Sequence, residues 1–360
     1  MSGNRDVKLM LHEFKVYLEN TLSEYLVDKT REAYEISREA GEMLDFITDI
    51  TMRGGKRVRA ALLYYSYIAH GGTDLVAAMK ASMAMELAQT FLLIHDDIID
   101  NDSLRRGGIT IHKLYEKIAK ERYEQKADPA HYGQSVGILA GDSACGFSNE
   151  IIGELELEPK YISRALLELN RMYKLEYYGQ LMDVNSELKK DITKDEVLKI
   201  HSLKTAPYTF DGPLKIGAIL AGAPEEVIVR LNSYTVPMGV AFQIQDDILG
   251  TFGDEEKLGK PVTSDLREGK RTLLILDALE RGSDEQREII LRNLGNRQVG
   301  LPELEETRTV IRETGALEKS VNIADKYVKS AKEAMDQMSL KKEGKYFLME
   351  IADYMVKREY

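Results

Sequence analysis

MAMELAQTFLLIHDDIID, residues 83–100, decides the fold. The run is apolar on nearly every side, carries no turn residue and shows no period-two alternation, so it reads as a buried helix. It ends in three carboxylates, Asp96, Asp97 and Asp100. At about 100° per residue, positions 96 and 100 share one helix face a turn apart, where two carboxylates repel unless a cation lies between them. Magnesium suits such an oxygen-only site, because it keeps its waters and completes its shell from substrate phosphates. Acidic groups at a helix C-terminus also oppose the macrodipole. A solvated acidic helix end is the competing account, and this motif alone does not decide between them.

A second stretch tips the balance. FQIQDDILG (242–250) is again an apolar run ending in paired carboxylates, Asp246 and Asp247. Helical three-and-four spacing recurs at 7–26, 73–100, 160–188, 223–249, 301–315 and 319–337. Of the eight prolines, Pro159, Pro207, Pro224 and Pro302 stand where helices are expected to begin. Hairpin-flanked alternating strands and Gly/Ser linkers are absent, and a helical pattern runs through residue 180. The expectation is an all-α protein: one domain, residues 1–360, formed by a single large helical bundle, with loops at 51–57, 101–110, 124–131 and 251–271.

The chain has 360 residues, 43% hydrophobic and 30% charged, with a formal net charge of -11. An acidic chain has no general positive field for a nucleic-acid backbone, so a polyanionic ligand must be met by local cations or metal. One cysteine, Cys145, excludes an intrachain disulfide and fits a reducing compartment. The N-terminal residues lack a signal-peptide core, and no apolar run reaches membrane-spanning length. A soluble, cytoplasmic protein is expected.

Cations cluster near the acidic motifs. GGKRVR (54–59) puts two glycines before Lys56, Arg57 and Arg59, which suits close approach to phosphate as well as an ordinary helix start. Arg105 and Arg106 follow the first aspartates and fit either a salt-bridge patch or bidentate diphosphate contacts. Lys204-Thr205 precedes Pro207, and Lys260 and Lys270 follow the second aspartates.

These residues resemble the trans-isoprenyl diphosphate synthase family. The ordered motifs are GGKRVR (54–59), HDDIIDNDSLRRG (95–107), GD (141–142), GQLMD (179–183), KT (204–205), GVAFQIQDD (239–247), GKP (259–261) and SDLREGKRT (264–272). The stretch after Asp247 is most similar to the archaeal geranylgeranyl-forming branch. The resemblance implies an isoprenoid synthase fold around a central cavity, a homodimer, and three Mg2+ ions. Asp96 and Asp100 would hold two ions and Asp246 the third, with Asp97 and Asp247 as possible further ligands. Lys56, Arg59, Gln89 and Arg106 would bind isopentenyl diphosphate. Arg105, Lys204, Thr205, Gln243, Lys260 and Lys270 would bind the allylic diphosphate, with Arg105, Lys204, Thr205 and Gln243 serving the chemistry. Phe91, five residues before Asp96, would form the floor that limits product length to twenty carbons.

Two positions depart from the family pattern. Gly250 stands where a third aspartate is usual, which removes a carboxylate from the second motif, so Asp100→Ala is expected to harm turnover far more than a change at Gly250 that leaves the helix intact. Ile109 replaces a common proline. In the implied reaction the departing diphosphate takes the proton, so His95 and His112 are expected to be structural. The alternatives are a farnesyl or longer-chain synthase, a class I terpene cyclase without an isopentenyl site, and a non-catalytic synthase subunit.

Overall fold

The protein is described here by a computed structural model covering residues 6–123, 128–189, 192–253 and 262–356. It forms two compact units, Met1–Leu167 with Ile216–Gly222, and Glu168–Lys215 with Ala223–Tyr360. The first holds α1 (Val7–Ile36), α2 (Arg38–Met52), α3 (Val58–Ala69), α4 (Leu75–Ile99), β1 (Leu104–Arg105), β2 (Gly108–Ile109), α5 (Ile111–Arg122) and α6 (Pro129–Gly153). Helix α7 (Pro159–Leu188) belongs to both units, the boundary falling within it rather than in a linker. The second unit continues with α8 (Lys194–Lys204), a π-turn (Pro207–Asp211), α9 (Gly212–Leu220, shared with the first unit), α10 (Glu225–Arg230) and α11 (Asn232–Phe252). It ends with α12 (Ser264–Glu268), α13 (Leu273–Arg281), α14 (Asp284–Asn293), α15 (Leu301–Glu313), α16 (Ala316–Asp336) and α17 (Lys342–Val356).

Each unit is organised around one apolar helix. In the first, α4 packs against α1, α2, α3, α5 and α6. Its buried residues, from Ala77 through Phe91 and Ile94, fall on nearly every side, as its sequence demands. Asp74 caps it by accepting from the Ala77 N–H at 2.9 Å. In the second, α11 touches the π-turn and α8, α10, α12, α13, α15, α16 and α17. Tyr234 there is fully buried, and its hydroxyl donates to the Leu348 carbonyl at 2.6 Å. The aspartate motifs therefore lie on the central apolar helix of each unit.

The expected helices are present, with three differences. The 223–249 segment falls into two helices that meet at Leu231, where the backbone stays right-handed helical at φ -57° and ψ -25°. The segment 251–271 is not loop throughout: α11 runs to Phe252 and α12 occupies Ser264–Glu268. The all-α pattern also admits one small hairpin, β1 with β2, pairing Leu104 with Ile109 and Arg105 with Gly108. Its turn residues Arg106 and Gly107 have φ of 51° and 74°. Both central residues are left-handed, as the tight primed turns that match strand twist require.

Arg57 follows neither reading of the 54–59 stretch. It is 3% exposed and points into the first unit, donating to Glu86 Oε2 at 2.7 Å, Glu19 Oε1 at 3.0 Å and the Thr51 carbonyl at 2.9 Å. Burial would lower its pKa, but Glu86 and Glu19 outweigh that and raise it. The pair ties α1, α2, α3 and α4 together. Arg57→Ala leaves Glu86 buried without its cation, so a loss of about 3–5 kcal/mol in unfolding free energy is expected by urea titration. Replacing both residues by methionine should cost much less.

Candidate functional site

In the first unit, Asp96 and Asp100 emerge at the end of α4, both partly exposed, with the Asp100 N–H donating to the Asp96 carbonyl at 2.8 Å. Asp97, about 100° round the helix, is buried instead at 1% exposure. Arg105 grips it, with Nε 2.6 Å from Asp97 Oδ1 and Nη2 3.1 Å from Asp102 Oδ2. Burial pushes the Asp97 carboxyl up to about 7 against the pull of Arg105. The same pairing, working against burial, raises Arg105. The three aspartates thus divide: two face outward and one anchors an arginine that lies 4.0 Å from Asp96 Oδ2.

The neighbouring arginine goes elsewhere. Arg106 turns away on its left-handed backbone, toward α2 and α4. With the Gln89 amide oxygen directed at the cations, it accepts from Arg59 Nη1 at 3.1 Å and Arg106 Nη2 at 3.3 Å. A Cβ on Gly55 would lie 3.5 Å from Arg106 Nη2, so the glycine-rich turn borders the same guanidinium. Burial lowers the Arg106 pKa, and Arg57, Arg59 and Arg105 add repulsion that Glu86 only partly offsets. Like charges crowded this way favour an anion. The structure joins Arg59, Gln89 and Arg106; Lys56 is exposed beside them in the same turn.

Phe91 is buried one turn before His95, with the rings edge to face and centroids 5.0 Å apart. The His95 Nε2 lies 3.2 Å from the Ile138 carbonyl of α6, so α6 fixes the orientation of that pair.

In the second unit, Lys204 Nζ donates to Asp183 Oδ2 at 2.6 Å. Burial pushes the Asp183 carboxyl up, but Lys204 outweighs it, with Lys270 and His201 adding, and its pKa lies below the ordinary carboxylate range. Lys270 also pairs with Glu268 at 2.8 Å and Asp265 at 3.6 Å. Thr205 donates its hydroxyl proton to Gln243 Oε1. The Gln243 amide donates in turn to Asp247 Oδ1 at 2.9 Å, and His201 Nε2 stands 3.4 Å from Asp247 Oδ2. Asp246 is partly exposed on the adjacent face, whereas Asp247 is buried. Lys260 lies outside the described residues.

Gly250 is not a simple vacancy in the second motif. A Cβ there would lie 2.1 Å from Asp265 Oδ2, so a carboxylate from α12 already stands against this position, one turn beyond Asp246. A side chain at 250 must move the Asp265 carboxylate, the far end of its side chain.

Sequence reasoning assigned no part to Asp183, His201 or Asp265. Asp183 was visible as the last residue of GQLMD, and His201 as the residue one helical turn before Thr205. Asp265 stood in SDLREGKRT, but its relation to Gly250 depends on how α12 packs on α11. Among the described residues no three histidine, cysteine or acidic side chains form a ready metal cage, and no helix is long and apolar enough to cross a membrane.

The Asp183–Lys204 pair sets a pH dependence. A carboxyl with a folded pKa below its unfolded value contributes stability above about pH 4, lost as pH falls through the folded pKa. Asp183→Asn should remove that contribution, giving a shallower loss of stability below pH 4 in urea titrations.

With this geometry in place, comparison with known proteins is direct. The sequence pattern of the polyprenyl synthetase family matches residues 41–311. The chain is 34% identical to geranylgeranyl diphosphate synthase of Methanosarcina mazei, over 93% of this chain and 92% of that one. It is 35% identical to geranylgeranyl diphosphate synthase of Sulfolobus acidocaldarius, over 85% and 87%. Its structure resembles that of geranylgeranyl pyrophosphate synthase from Corynebacterium glutamicum, crystallised with isoprenyl diphosphate and magnesium, with a TM-score of 0.90, 29% identity and coverage of 97% and 99%. An all-α fold, a family pattern matched over residues 41–311 and relatives 34–35% identical over most of the chain make this chain a member of the polyprenyl synthetase family.

Proposed function

We propose that the chain is a prenyltransferase that condenses isopentenyl diphosphate head to tail with dimethylallyl, geranyl and farnesyl diphosphates, giving geranylgeranyl diphosphate and releasing diphosphate. The observation that carries this reading is the Arg59–Gln89–Arg106 cluster. A cyclase that ionises one diphosphate has no need of a second anion site, and a non-catalytic subunit has no need of intact aspartates.

The donor chemistry fits magnesium: Asp96 and Asp100 offer partly exposed carboxylates from one helix face, and Asp246 offers another at the polar end of α11. We assign the first two to two ions and Asp246 to a third. Bound magnesium supplies Lewis-acid stabilisation of charge on a departing diphosphate. Asp97 serves Arg105, and Asp247 serves Gln243, rather than metal.

The chain's own groups then divide the work. Arg59, Gln89 and Arg106, with Lys56, hold isopentenyl diphosphate. Lys204 and Lys270, with Arg105 and Lys260, hold the allylic diphosphate and neutralise charge as its C–O bond breaks. Because Thr205 spends its proton on Gln243, its oxygen lone pairs remain to face positive carbon. The Asp247 carboxylate polarises the same chain of hydrogen bonds. The isopentenyl double bond attacks the allylic cation, and the released diphosphate accepts the proton, so no side-chain base is required.

Two of the three unit boundaries, at Leu167 and Lys215, fall inside helices, which supports residues 1–360 acting as one catalytic domain. Ile138 and Leu139 lie exposed on the apolar helix α6, a face suited to a second copy in a homodimer. The single cysteine and acidic composition suit a cytoplasmic enzyme.

Incubation of the purified protein with magnesium, isopentenyl diphosphate and each allylic starter should give a twenty-carbon product on chromatography, and chelation by EDTA should abolish it. Diphosphate release without isopentenyl diphosphate would point to a cyclase, and inactivity relieved only by a partner chain to a subunit. Asp100→Ala should lower kcat by roughly 100-fold or more. Phe91→Ala opens space beneath the growing chain and should lengthen the product; an unchanged product rejects Phe91 as the floor.

A further inference from the structure

Two glycines outside every set of functional side chains above press on the same short backbone segment. A Cβ on Gly179 of α7 would lie 2.3 Å from Lys204 N, 2.6 Å from Lys204 Cα and 2.7 Å from the Leu203 carbonyl carbon. A Cβ on Gly239 of α11 would lie 2.1 Å from Ala206 Cβ and 2.5 Å from Ala206 Cα. Carbon atoms pack at about 3.5–4.0 Å, so a methyl at either site must move its neighbour by about 1 Å. Most of these obstacles are main-chain atoms, which no rotamer change can clear.

The squeezed segment is a weak point in the helical ladder. Lys204 ends α8, Thr205 is its C-cap, and Pro207 opens the π-turn without an N–H to donate. The Thr205 N–H still donates to the His201 carbonyl at 3.2 Å and the Thr209 N–H to the Thr205 carbonyl at 3.0 Å, but the Pro207 rung is missing, and packing adds rigidity there. Beyond it, Asp211 pins the far end by accepting from Arg171, from Lys215 Nζ at 2.9 Å and from Thr235 Oγ1 at 2.8 Å.

The spacing on the two flanking helices matches. On α7, Gly179 meets the Lys204 backbone and Asp183, four residues on, takes the Lys204 ammonium. On α11, Gly239 meets the Ala206 backbone and Gln243, four residues on, takes the Thr205 hydroxyl. Positions four apart share a helix face. Each helix thus presents a glycine to the main chain and, one turn later, a polar group to the side chain.

We propose that Gly179 and Gly239 are positioning residues, a two-sided backbone clamp that sets where Lys204 and Thr205 stand during ionisation of the allylic diphosphate. The inference rests on the reading of Lys204 and Thr205 as allylic-site groups. It explains why GQLMD and GVAFQIQDD carry glycine four residues before their polar member.

Gly179→Ala and Gly239→Ala, assayed with magnesium, isopentenyl diphosphate and farnesyl diphosphate, should lose kcat by roughly 10- to 100-fold, the scale of a 1 Å misplacement. KM for isopentenyl diphosphate should stay within about threefold, because uniform binding is untouched. Adding Ala206→Gly should recover part of the loss in Gly239→Ala, whose nearest obstacle is the Ala206 methyl. It should recover nothing in Gly179→Ala, whose obstacles are main-chain atoms. Unchanged kcat in folded Gly239→Ala, or rescue of both variants or of neither, overturns the clamp. If the alanine variants fail to fold, Ala206→Gly alone loosens the clamp without pressure: kcat should fall severalfold at constant KM, and wild-type kcat overturns the proposal. Thr205→Ala, run in parallel, separates the two readings. Normal turnover there removes the allylic-site assignment and the clamp's purpose with it, whereas impaired Thr205→Ala beside unimpaired Gly239→Ala removes the clamp alone.

Discussion

Carboxylates near the C-terminal end of a buried apolar helix are electrostatically uphill, since they meet the negative end of the macrodipole and each other. Both α4 and α11 carry such groups, and much of the polar structure in each unit offsets that cost. In the first unit Arg105 holds Asp97 and Asp102. In the second, Gln243 and His201 hold Asp247, and Lys204 holds Asp183 nearby. These contacts engage one carboxylate oxygen, Oδ1, of the buried member of each aspartate pair by hydrogen bonds, and Asp96, Asp100 and Asp246 are the partly exposed members.

That division makes positive charge available without lowering the chain's overall acidity. The chain carries a net charge of -11, yet Arg57, Arg59 and Arg105 lie close enough to Arg106 to add to the burial that lowers its pKa. Arg57 closes on Glu86 and Glu19 in the core, and Arg105 on Asp97, whereas Arg59 and Arg106 share an uncharged glutamine. A neutral mediator holds two guanidinium groups in place without cancelling their charge. Such an arrangement concentrates positive charge locally in an acidic chain, which suits a compact anion.

Close backbone packing supplies the remaining precision. Where the helical ladder loses a rung at Pro207, glycines on α7 and α11 let neighbouring main chain come nearer than any side chain would allow. Precision of this kind suits ionisation chemistry, in which small displacements of a charged or dipolar group change the barrier strongly.

The helical class, the two aspartate motifs and the candidate cations were legible in the residues themselves, because period, helix-breaking prolines and like-charge repulsion are local properties of a chain. The 89-to-96 spacing likewise placed Gln89 on the face of α4 that carries Asp96. Tertiary structure alone decided which of two adjacent residues did what. Arg105 and Arg106 are chemically identical, and only a left-handed turn sends one to Asp97 and the other to Gln89. Arg57 stood in the GGKRVR run without an assigned role until its burial against Glu86 made it a core strut. Gly250 read as a missing carboxylate until α12 brought Asp265 against it. Each of these outcomes depends on what lies across from a residue at long sequence separation, and helical periodicity carries no information about that.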